Sequence, residues 1–389
     1  MQRHSFLACT LLVFLTACSE DTTTAAESAQ TADSTSLPTA RETCATLGIS
    51  FQPLNLPDSS SLILVTNYAD LLTAISAGYR YIKIPAGVTI ELPNQSGALS
   101  LGLGQTLFGE RGQVDNPGKL VVLPLETDSD DKYPVITLAS HSRISGLIIE
   151  GPVQVSNSDK QTIGMKAESY STDVMVDNNE IYGWPWAGVS LKQSHQAFIN
   201  NNYIHHNIKS ELGYGVVVQN GDTSATIQCN IFSANRHAIA GSGKLGEGYL
   251  AQYNLVMQDG GRGAYHQFDM HQGSEGYGGS YVHVMHNWFN YGDYGTSNRS
   301  SVGIRGIPEQ GPATVEKNIF KSQYHLTATT TTVTGVSGSI PSEQDQLANN
   351  TFGAVFDFSR IDDQSCEMQA ADENIAVSCA AVGLGEEVF

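Results

Sequence analysis

The segment Ala197-Phe-Ile-Asn-Asn-Asn-Tyr-Ile204 is followed 28 residues later by Ala225-Thr-Ile-Gln-Cys-Asn-Ile-Phe232, which repeats its pattern. In both, alternating apolar residues lead into an Asn, and an apolar residue follows two positions after it. This alternation is typical of a short strand that ends in a turn. The same motif recurs 23 to 33 residues apart at Asn179/Ile181, Asn202/Ile204, Asn230/Phe232, Asn254/Val256, Asn287/Phe289, Asn318/Phe320 and Asn350/Phe352.

Repeats of this length that are built from strands predict a parallel β-solenoid. One unit cannot bury its apolar side alone, whereas stacked units share a continuous core. The stacked asparagines would then hydrogen-bond to one another along the axis as a ladder. A β-sandwich would instead show turns every 8 to 12 residues or so without a fixed Asn, and a propeller would show near-constant blades of roughly 40 residues.

The residues before the repeats predict a cap for the solenoid. In 68–77, Tyr68, Leu71, Leu72 and Ile75 fall on one helical face, and Gly78 follows as a stop. A helix here would cover the open end of the first coil, which otherwise exposes unpaired strand edges. The segments Ile84-Pro-Ala-Gly87 and Thr106-Leu-Phe-Gly-Glu110 come next.

This order of cap helix, strand and turn, over residues 62 to 355, resembles the right-handed parallel β-helix proteins of the pectin-lyase-like superfamily. The resemblance implies an all-β, single-stranded, right-handed parallel β-helix with a short N-terminal cap helix. Most members of the superfamily bind or cleave carbohydrate. The fold also carries epimerases, hydrolases, phage receptor-binding spikes and adhesins, so function has to be argued from the site.

The N-terminus predicts export. Residues 1–17 have a charged start and a short apolar run, which is typical of a signal peptide and too short for a membrane span. Leu15-Thr-Ala-Cys18 resembles the bacterial lipobox, which implies lipidation of Cys18 and, with Ser19 next, anchoring at the outer membrane, periplasmic or surface-exposed. The alternative is an ordinary signal cut near Ala17. Residues 18–42 are polar enough to form a disordered tether, and 43–389 are expected to form the β-helix domain, acting as a monomer.

Four cysteines remain in this oxidising compartment once Cys9 and Cys18 are set aside, and they allow three pairings. Cys366 with Cys379 is the local choice, and Cys44 with Cys229 would follow by exclusion. No spacing of Cys and His indicates zinc. The resemblance makes calcium a candidate ligand, for which Asp128, Asp130 and Asp131 could supply oxygens. Such an acidic run is more often solvated, so no metal residue is assigned and no cofactor is required.

Behind each Asn corner lies a second strand whose apolar pairs fix an inward column. Alternate residues then face solvent, because successive strand side chains point in opposite directions. Aligning Ala238/Ala240 with Val216/Val218 and Phe268/Met270 gives the outward set Ser190, Lys192, Val217, Gln219, His237, Ile239, Asp269, His271 and Arg305.

The outward set brings two imidazoles, a carboxylate and a guanidinium to neighbouring coils, at His237, His271, Asp269 and Arg305. A His base could remove the C5 proton of a uronic acid while Arg305 neutralises the adjacent carboxylate. Tyr265, beside this patch, is the candidate proton donor to the leaving oxygen, and Tyr249 is a second. The sequence thus predicts a polysaccharide lyase that cleaves an acidic polysaccharide by β-elimination.

Other activities stay open. A C5 epimerase would use the same proton abstraction. A glycoside hydrolase would need paired carboxylates, and the outward set offers only Asp269, with Glu247 and Glu275 in flanking loops. A non-catalytic carbohydrate-binding β-helix would spread its polar residues over many coils. Asp269 could also serve only to neutralise Arg305, and we interpret His205, His206, His283 and His286 as structural or solvated.

Further residues are candidate substrate ligands around this patch. Trp184 and Trp186 would form a stacking wall for sugar rings. Residues 241–248 form a glycine-rich segment that could fold over the groove, and no nucleotide-binding or nucleic-acid motif occurs. The predicted substrate-binding set is Lys192, Gln219, Arg236, Lys244, His266, Trp184 and Trp186.

The net charge of −19 would repel an acidic polymer at long range. Salt screens such repulsion beyond about one Debye length, and the acidic segments 20–42, 128–131 and 362–387 lie outside the proposed groove. An acidic polysaccharide therefore remains the predicted partner, with a neutral one as the alternative.

Overall fold

The computed structural model describes residues 61–124, 132–152, 161–209, 211–257, 266–291, 300–321, 334–338 and 349–353. Three sheets of parallel strands run the length of this region, and each successive coil adds one strand to each sheet. The predicted parallel β-helix is confirmed. The sandwich and propeller alternatives are wrong, because every strand pairs in parallel with the equivalent strand of the next coil.

Strands are numbered along the chain and grouped by sheet. Sheet 1 contains β1 (Leu62–Leu64), β2 (Tyr81–Lys83), β5 (Thr106–Phe108), β8 (Arg143–Ser145), β11 (Met175–Asp177), β14 (Ala197–Asn200), β17 (Thr223–Gln228), β20 (Glu247–Gln252), β23 (Tyr281–Met285) and β26 (Thr314–Glu316). Sheet 2 contains β3 (Thr89–Leu92), β6 (Lys119–Val122), β9 (Ile148–Glu150), β12 (Glu180–Tyr182), β15 (Tyr203–His205), β18 (Ile231–Ser233), β21 (Leu255–Val256), β24 (Trp288–Phe289) and β27 (Ile319–Phe320). Sheet 3 contains β4 (Leu99–Leu101), β7 (Lys132–Leu138), β10 (Gln161–Ala167), β13 (Ala187–Lys192), β16 (Tyr214–Gln219), β19 (His237–Gly241), β22 (His266–Met270), β25 (Ser300–Ile304) and β28 (Thr334–Gly338).

The repeated Asn forms the corner between sheets 1 and 2, and the predicted ladder is confirmed. The side-chain amide of each ladder Asn donates to the Oδ1 of the next, at 3.0 to 3.2 Å, from Asn179 through to Asn350. The same Oδ1 accepts from the backbone N–H of the preceding Asn. Each buried amide is thereby satisfied along the axis, which is what a buried polar group requires.

The residue before the ladder Asn turns the chain by adopting a left-handed conformation. It has φ between 54° and 57° at Asn178, Asn201, Cys229, Tyr253, His286 and Lys317. A non-glycine residue in this region costs roughly 1 to 2 kcal/mol, and the hydrogen bonds of the ladder offset that cost. The sequence therefore repeats the Asn and not the residue before it.

The apolar residue two positions after the ladder Asn points into the core. Phe289, Phe320 and Phe352 stack there with ring centroids 4.8 and 4.9 Å apart. Such aligned packing continues from coil to coil and gives the solenoid one unbroken apolar interior.

Helix α1 (Tyr68–Ser76) contacts β2, β3 and β4, one early strand from each sheet, at the position predicted for a cap. Asn67 caps its N-terminus by accepting from the N–H of Asp70 at 3.0 Å, and Gly78 follows the helix with φ 76°. Its buried residues are Leu71 and Ala74. Leu72, which was predicted to share the apolar face of the helix, is exposed. The buried side of the helix is centred on Leu71 and Ala74.

Cys229 is buried and disulfide-bonded. The other cysteines lie outside the described residues, so the predicted pairings stay predictions. The predicted lipidation site Cys18, the candidate donor Tyr265 and the acidic run at 128–131 also lie outside them. Across the described ranges, no helix is both long and apolar enough to span a membrane.

Candidate active site

The site is built on the outer face of sheet 3, where β16, β19, β22 and β25 lie on successive coils about 4.8 Å apart. Asp269 is in register with Ala240 on one side and with Gly303 on the other. These small neighbours leave space above and below the carboxylate. Longer side chains from adjacent columns fill that space and converge on Asp269.

The predicted alignment of β19 is wrong by one residue. Ile239 pairs with Val216 and Phe268 and points inward, so Ala240 is the outward residue. Ala238 also lies in the core, and two successive inward residues interrupt the alternation. For this reason His237 still reaches the outer face, where it pairs with Tyr214 instead of lying in the column of Asp269.

Asp269 is fully buried and held by two partners. Arg305 donates from Nε to Oδ1 at 3.0 Å and from Nη2 to Oδ2 at 2.6 Å, and Nε2 of His271 lies 3.0 Å from Oδ2. Burial alone would raise the pKa of Asp269. The hydrogen bond from His271 and the charge of Arg305 outweigh burial and hold that pKa well below its usual value.

His271 and Arg305 are the parts of this group that face solvent. Their side chains are 38% and 42% exposed, whereas that of Asp269 is 0% exposed. Since Asp269 is a carboxylate and can only accept, Nε2 of His271 carries the proton between them. The Nδ1 lone pair of His271 is then available as a base, and Asp269 fixes the orientation of the ring.

His237 is buried, so the prediction that it is a solvent-facing base is wrong. Its Nδ1 donates to the backbone carbonyl of His266, and its Nε2 lies 3.9 Å from Oδ2 of Asp269. Burial is the main cause that lowers the pKa of His237 to about 3, and the ring is neutral near pH 7. Its ring stacks on that of Tyr214 at 5.7 Å. His237 is therefore a buried neighbour of Asp269 that is bonded to the backbone of the strand that carries Asp269.

His266 and Arg236 lie at the edge of the same cluster. Nδ1 of His266 is 2.7 Å from the hydroxyl oxygen of Ser300, and burial lowers the pKa of this imidazole. Arg236 donates from Nη1 to the carbonyl of Leu212 at 3.4 Å. Both contacts are internal, and direct substrate contact by either residue stays a prediction.

Three other predicted ligands lie away from Asp269. Lys192 and Gln219 are in register on neighbouring coils, and Gln219 donates to the hydroxyl of Ser190 at 2.7 Å. Lys244, in the turn after β19, reaches Oδ1 of Asn220 at 3.3 Å. That turn is held by Glu247, whose buried carboxylate accepts from the hydroxyl of Ser242 at 2.7 Å and from the N–H of Gly221 at 3.1 Å.

The two tryptophans do not form the predicted wall. Trp184 is fully buried in the main core and donates to the carbonyl of Ile149 at 3.3 Å, so its assignment as a sugar-stacking residue is wrong. Trp186 lies on the outer face but is only 3% exposed, because it packs with Ile163, Ala187 and Tyr214, and the ammonium of Lys132 lies 3.9 Å from its ring. Tyr249 is also in the core and cannot act as a proton donor.

The sequence-based prediction missed Tyr214, Lys132 and Lys166. Lys166 could have been found by extending the outward column by one coil toward the N-terminus, because Lys166 is in register with Ser190. Among the described residues, no group of three or more His, Cys, Asp and Glu side chains is arranged to hold a metal ion.

No known protein-family model matches this chain, and no curated protein sequence matches it. Solved structures do show similarity. An alginate lyase from Paenibacillus sp. str. FPU-7 is 15% identical, with 72% of this chain and 99% of that chain covered and a TM-score of 0.44. The ORF18 protein of Geobacillus virus E2 is 10% identical, with 68% and 62% covered and a TM-score of 0.37.

The catalytic domain of a GH87 alpha-1,3-glucanase, in complex with nigerose, is 15% identical, with 79% of this chain and 70% of that chain covered and a TM-score of 0.36. At these identities the likeness concerns the fold alone.

Proposed function

We propose that this protein is a polysaccharide lyase that cleaves a uronic-acid-containing polymer by β-elimination. One observation carries the proposal. A half-exposed imidazole and a half-exposed guanidinium, His271 and Arg305, are held side by side on the outer face of sheet 3 by the buried carboxylate of Asp269. β-Elimination from a uronate needs a base and a cation in this kind of arrangement.

His271 is assigned as the base that removes the C5 proton. Its Nδ1 is the nitrogen that Asp269 does not occupy, and the imidazolium that forms is stabilised by that carboxylate. Asp269 itself takes no proton, since its pKa lies far below neutrality. In such a pair the carboxylate orients the imidazole and fixes its tautomer, and the imidazole accepts the proton.

Arg305 is assigned as the group that binds the substrate carboxylate. Asp269 occupies its Nε and Nη2 on one edge, and the Nη1–Nη2 edge presents a second pair of N–H donors with the fork geometry that suits a carboxylate. When the C5 proton leaves, negative charge grows on the carboxylate beside C5. A fixed cation there stabilises the transition state more than the ground state.

The electron pair of the broken C5–H bond becomes the C4–C5 double bond, and the C4–O4 bond breaks. The departing oxygen takes up a proton, for which Tyr265 stays the predicted donor. If the proton instead returned to C5 from the opposite side, the reaction would be a C5 epimerisation. Both outcomes share the abstraction step at His271.

Hydrolysis fits these residues less well. A glycoside hydrolase places two carboxyl groups on opposite sides of the scissile bond. Asp269 is buried and ion-paired, with a pKa too low for a general acid. Glu247 is buried inside a turn, where backbone N–H groups and a hydroxyl occupy its oxygens. Neither carboxyl group is presented to a substrate.

The test is ultraviolet absorbance of the new conjugated double bond during incubation with alginate, pectate, glucuronan and glycosaminoglycans. The wild type should raise the absorbance with one of them. His271→Ala and Arg305→Ala should each slow the rise by about 100-fold or more. His141→Ala, which alters an exposed residue in the turn between β7 and β8, should leave the rate unchanged. C5 inversion without absorbance would assign an epimerase, and reducing ends without absorbance would overturn the proposal.

We also propose that Cys18 is lipidated and anchors the protein to the outer membrane, on the basis of Leu15-Thr-Ala-Cys18. Membrane fractionation with Cys18→Ala as control tests this. An intact Cys18→Ala protein that stays in the membrane fraction to the same extent as wild type would refute it.

A further inference from the structure

Three lysines lie on the outer face of sheet 3, toward its N-terminal end. Lys166 in β10 is in register with Ser190, and Lys192 lies two residues farther on the same face of β13. Lys132 begins β7, with its ammonium over the indole of Trp186 at 3.9 Å. All three belong to the face that carries Asp269.

The charge of Lys192 repels both Lys132 and Lys166. Burial lowers the pKa of Lys132 and of Lys166, and the charge of Lys192 lowers each of them further. Glu168 partly opposes the effect at Lys166. In the part of the chain that the structure describes, none of the three forms an ion pair with a carboxylate, although the whole chain has a net charge of −19.

The lysines lie over a small, buried apolar layer on the outer side of sheet 3. Trp186, Ile163 and Ala187 form a small apolar cluster on the outer face, separate from the main core. Next to it, Gln219 and Ser190 provide an amide and a hydroxyl that are bonded to each other at 2.7 Å. Trp186, Ile163 and Ala187 are at most 4% exposed, so a ligand would contact the ammonium groups above them.

The lysines and Asp269 lie along one line. The outward column of sheet 3 runs from Lys166 through Ser190, Val217 and Ala240 to Asp269, one residue per coil. Four steps of about 4.8 Å place Lys166 roughly 19 Å from Asp269. A polymer lying along the axis of the solenoid would therefore reach both places, with several sugar units between them.

We infer that Lys132, Lys166 and Lys192, above Trp186, form a subsite that binds a carboxylate group of an acidic polysaccharide whose cleaved bond lies at His271 and Arg305. This inference rests on the proposed function, because it takes the polymer to be a polyuronate. An anion placed among the three ammonium groups relieves their repulsion and gains charge-assisted hydrogen bonds. Such a subsite would give a strongly acidic protein a local positive site for a polyanion.

Affinity electrophoresis tests the subsite without turnover. The mobility of His271→Ala is measured in gels that contain alginate, pectate or an uncharged β-glucan. Adding Lys166→Gln and Lys192→Gln together to this background should raise the Kd for the acidic polymer by about tenfold, the size of one charge-assisted hydrogen bond. It should also reduce the dependence of Kd on salt, and Lys317→Gln, which removes an exposed lysine at a corner between sheets 1 and 2, should change neither.

Each outcome either supports or refutes the lysine subsite. A change below about twofold, an equal effect of Lys317→Gln, or failure of every acidic polymer to retard the protein would overturn the subsite. Unfolding midpoints equal to that of the parent would exclude misfolding as the cause of lost binding. Retardation that depends on the lysines, without elimination by the wild type, would keep the subsite and refute the lyase. Elimination with unchanged Kd would keep the lyase and refute the subsite.

Discussion

Arg305 reaches back across one coil to Asp269 and binds it with two hydrogen bonds, of 3.0 and 2.6 Å, while the residue in register with Asp269 on the coil of Arg305 is Gly303. A Cβ at position 303 would lie 2.8 Å from Cγ of His266, so a side chain there would collide with the cluster. The site therefore requires glycine at position 303 as well as its charged residues.

The two-pronged contact predicts that lysine cannot replace Arg305. A lysine at this position would keep the charge, but a single ammonium cannot bind Asp269 and a substrate carboxylate with two forks at once. We expect Arg305→Lys to lower kcat on the acidic polymer by about 100-fold with little change in the unfolding midpoint, because Arg305 is half-exposed. Steady-state kinetics and thermal unfolding measure the two effects.

The matched control is Lys192→Arg, which preserves the charge at a place without a two-pronged contact. It should keep kcat within about twofold of wild type. Activity of Arg305→Lys close to that of wild type would show that charge alone suffices, and it would remove the assigned role of the fork.

The repeat and the corner of the fold were predictable from the sequence because both depend on Asn at one fixed position of each repeat. Asn202 and Asn230 must be Asn, since both the amide donor and the carbonyl acceptor are used in the ladder. The residue before each of them varies, because the chain needs only its left-handed backbone there. A pattern with such a chemical requirement can be recognised in a single sequence.

The register of β19 was not predictable in the same way. Residues 238–240 are Ala-Ile-Ala, so either Ala238 with Ala240 or Ile239 can be placed inward with similar apolar content. The structure buries both Ala238 and Ile239, which alternation does not anticipate. For Trp184, the aromatic side chain suggested a sugar contact, yet its large apolar area also favours burial in the core.

The buried imidazole of His237 predicts a loss of stability in mild acid. Its pKa in the folded protein is about 3, whereas that of an unfolded His is near 6.5. The unfolded state therefore takes up the proton first. The free energy of unfolding is unaffected by this group above pH 6.5, and it falls by up to about 1.4 kcal/mol per pH unit as the pH drops from 6.5 toward 3.

We expect His237→Gln, whose amide can still donate to the carbonyl of His266, to show a shallower acid decline than wild type. Denaturant unfolding between pH 7 and pH 4 measures it, and His141→Gln serves as the exposed control. The other buried histidines and the carboxyl groups are present in both proteins, so the difference between the two curves isolates His237. Parallel curves for wild type and His237→Gln would contradict the assignment.

The centre of the Asn ladder should be the most sensitive polar position of the fold. Asn254 donates to the carbonyl of Ile227 at 2.9 Å and to Oδ1 of Asn287 at 3.0 Å. Its own Oδ1 accepts from the backbone N–H and the side-chain amide of Asn230, each at 3.0 Å. One buried side chain therefore links the coils on both sides of it.

Asn254→Ala should lower the free energy of unfolding by about 3 to 5 kcal/mol, because it removes hydrogen-bond partners from buried donors of Asn230 and from buried acceptors of Ile227 and Asn287, on the two neighbouring coils. Gln252→Ala is the matched control from the same coil. Gln252 makes a single hydrogen bond, at 2.8 Å to Gln228, on the outer face, where water can replace it, and its loss should cost less than about 1 kcal/mol. Denaturant unfolding of both variants compares them directly. Equal losses would mean that apolar stacking alone holds the coils in register and that the ladder contributes no more than a surface contact.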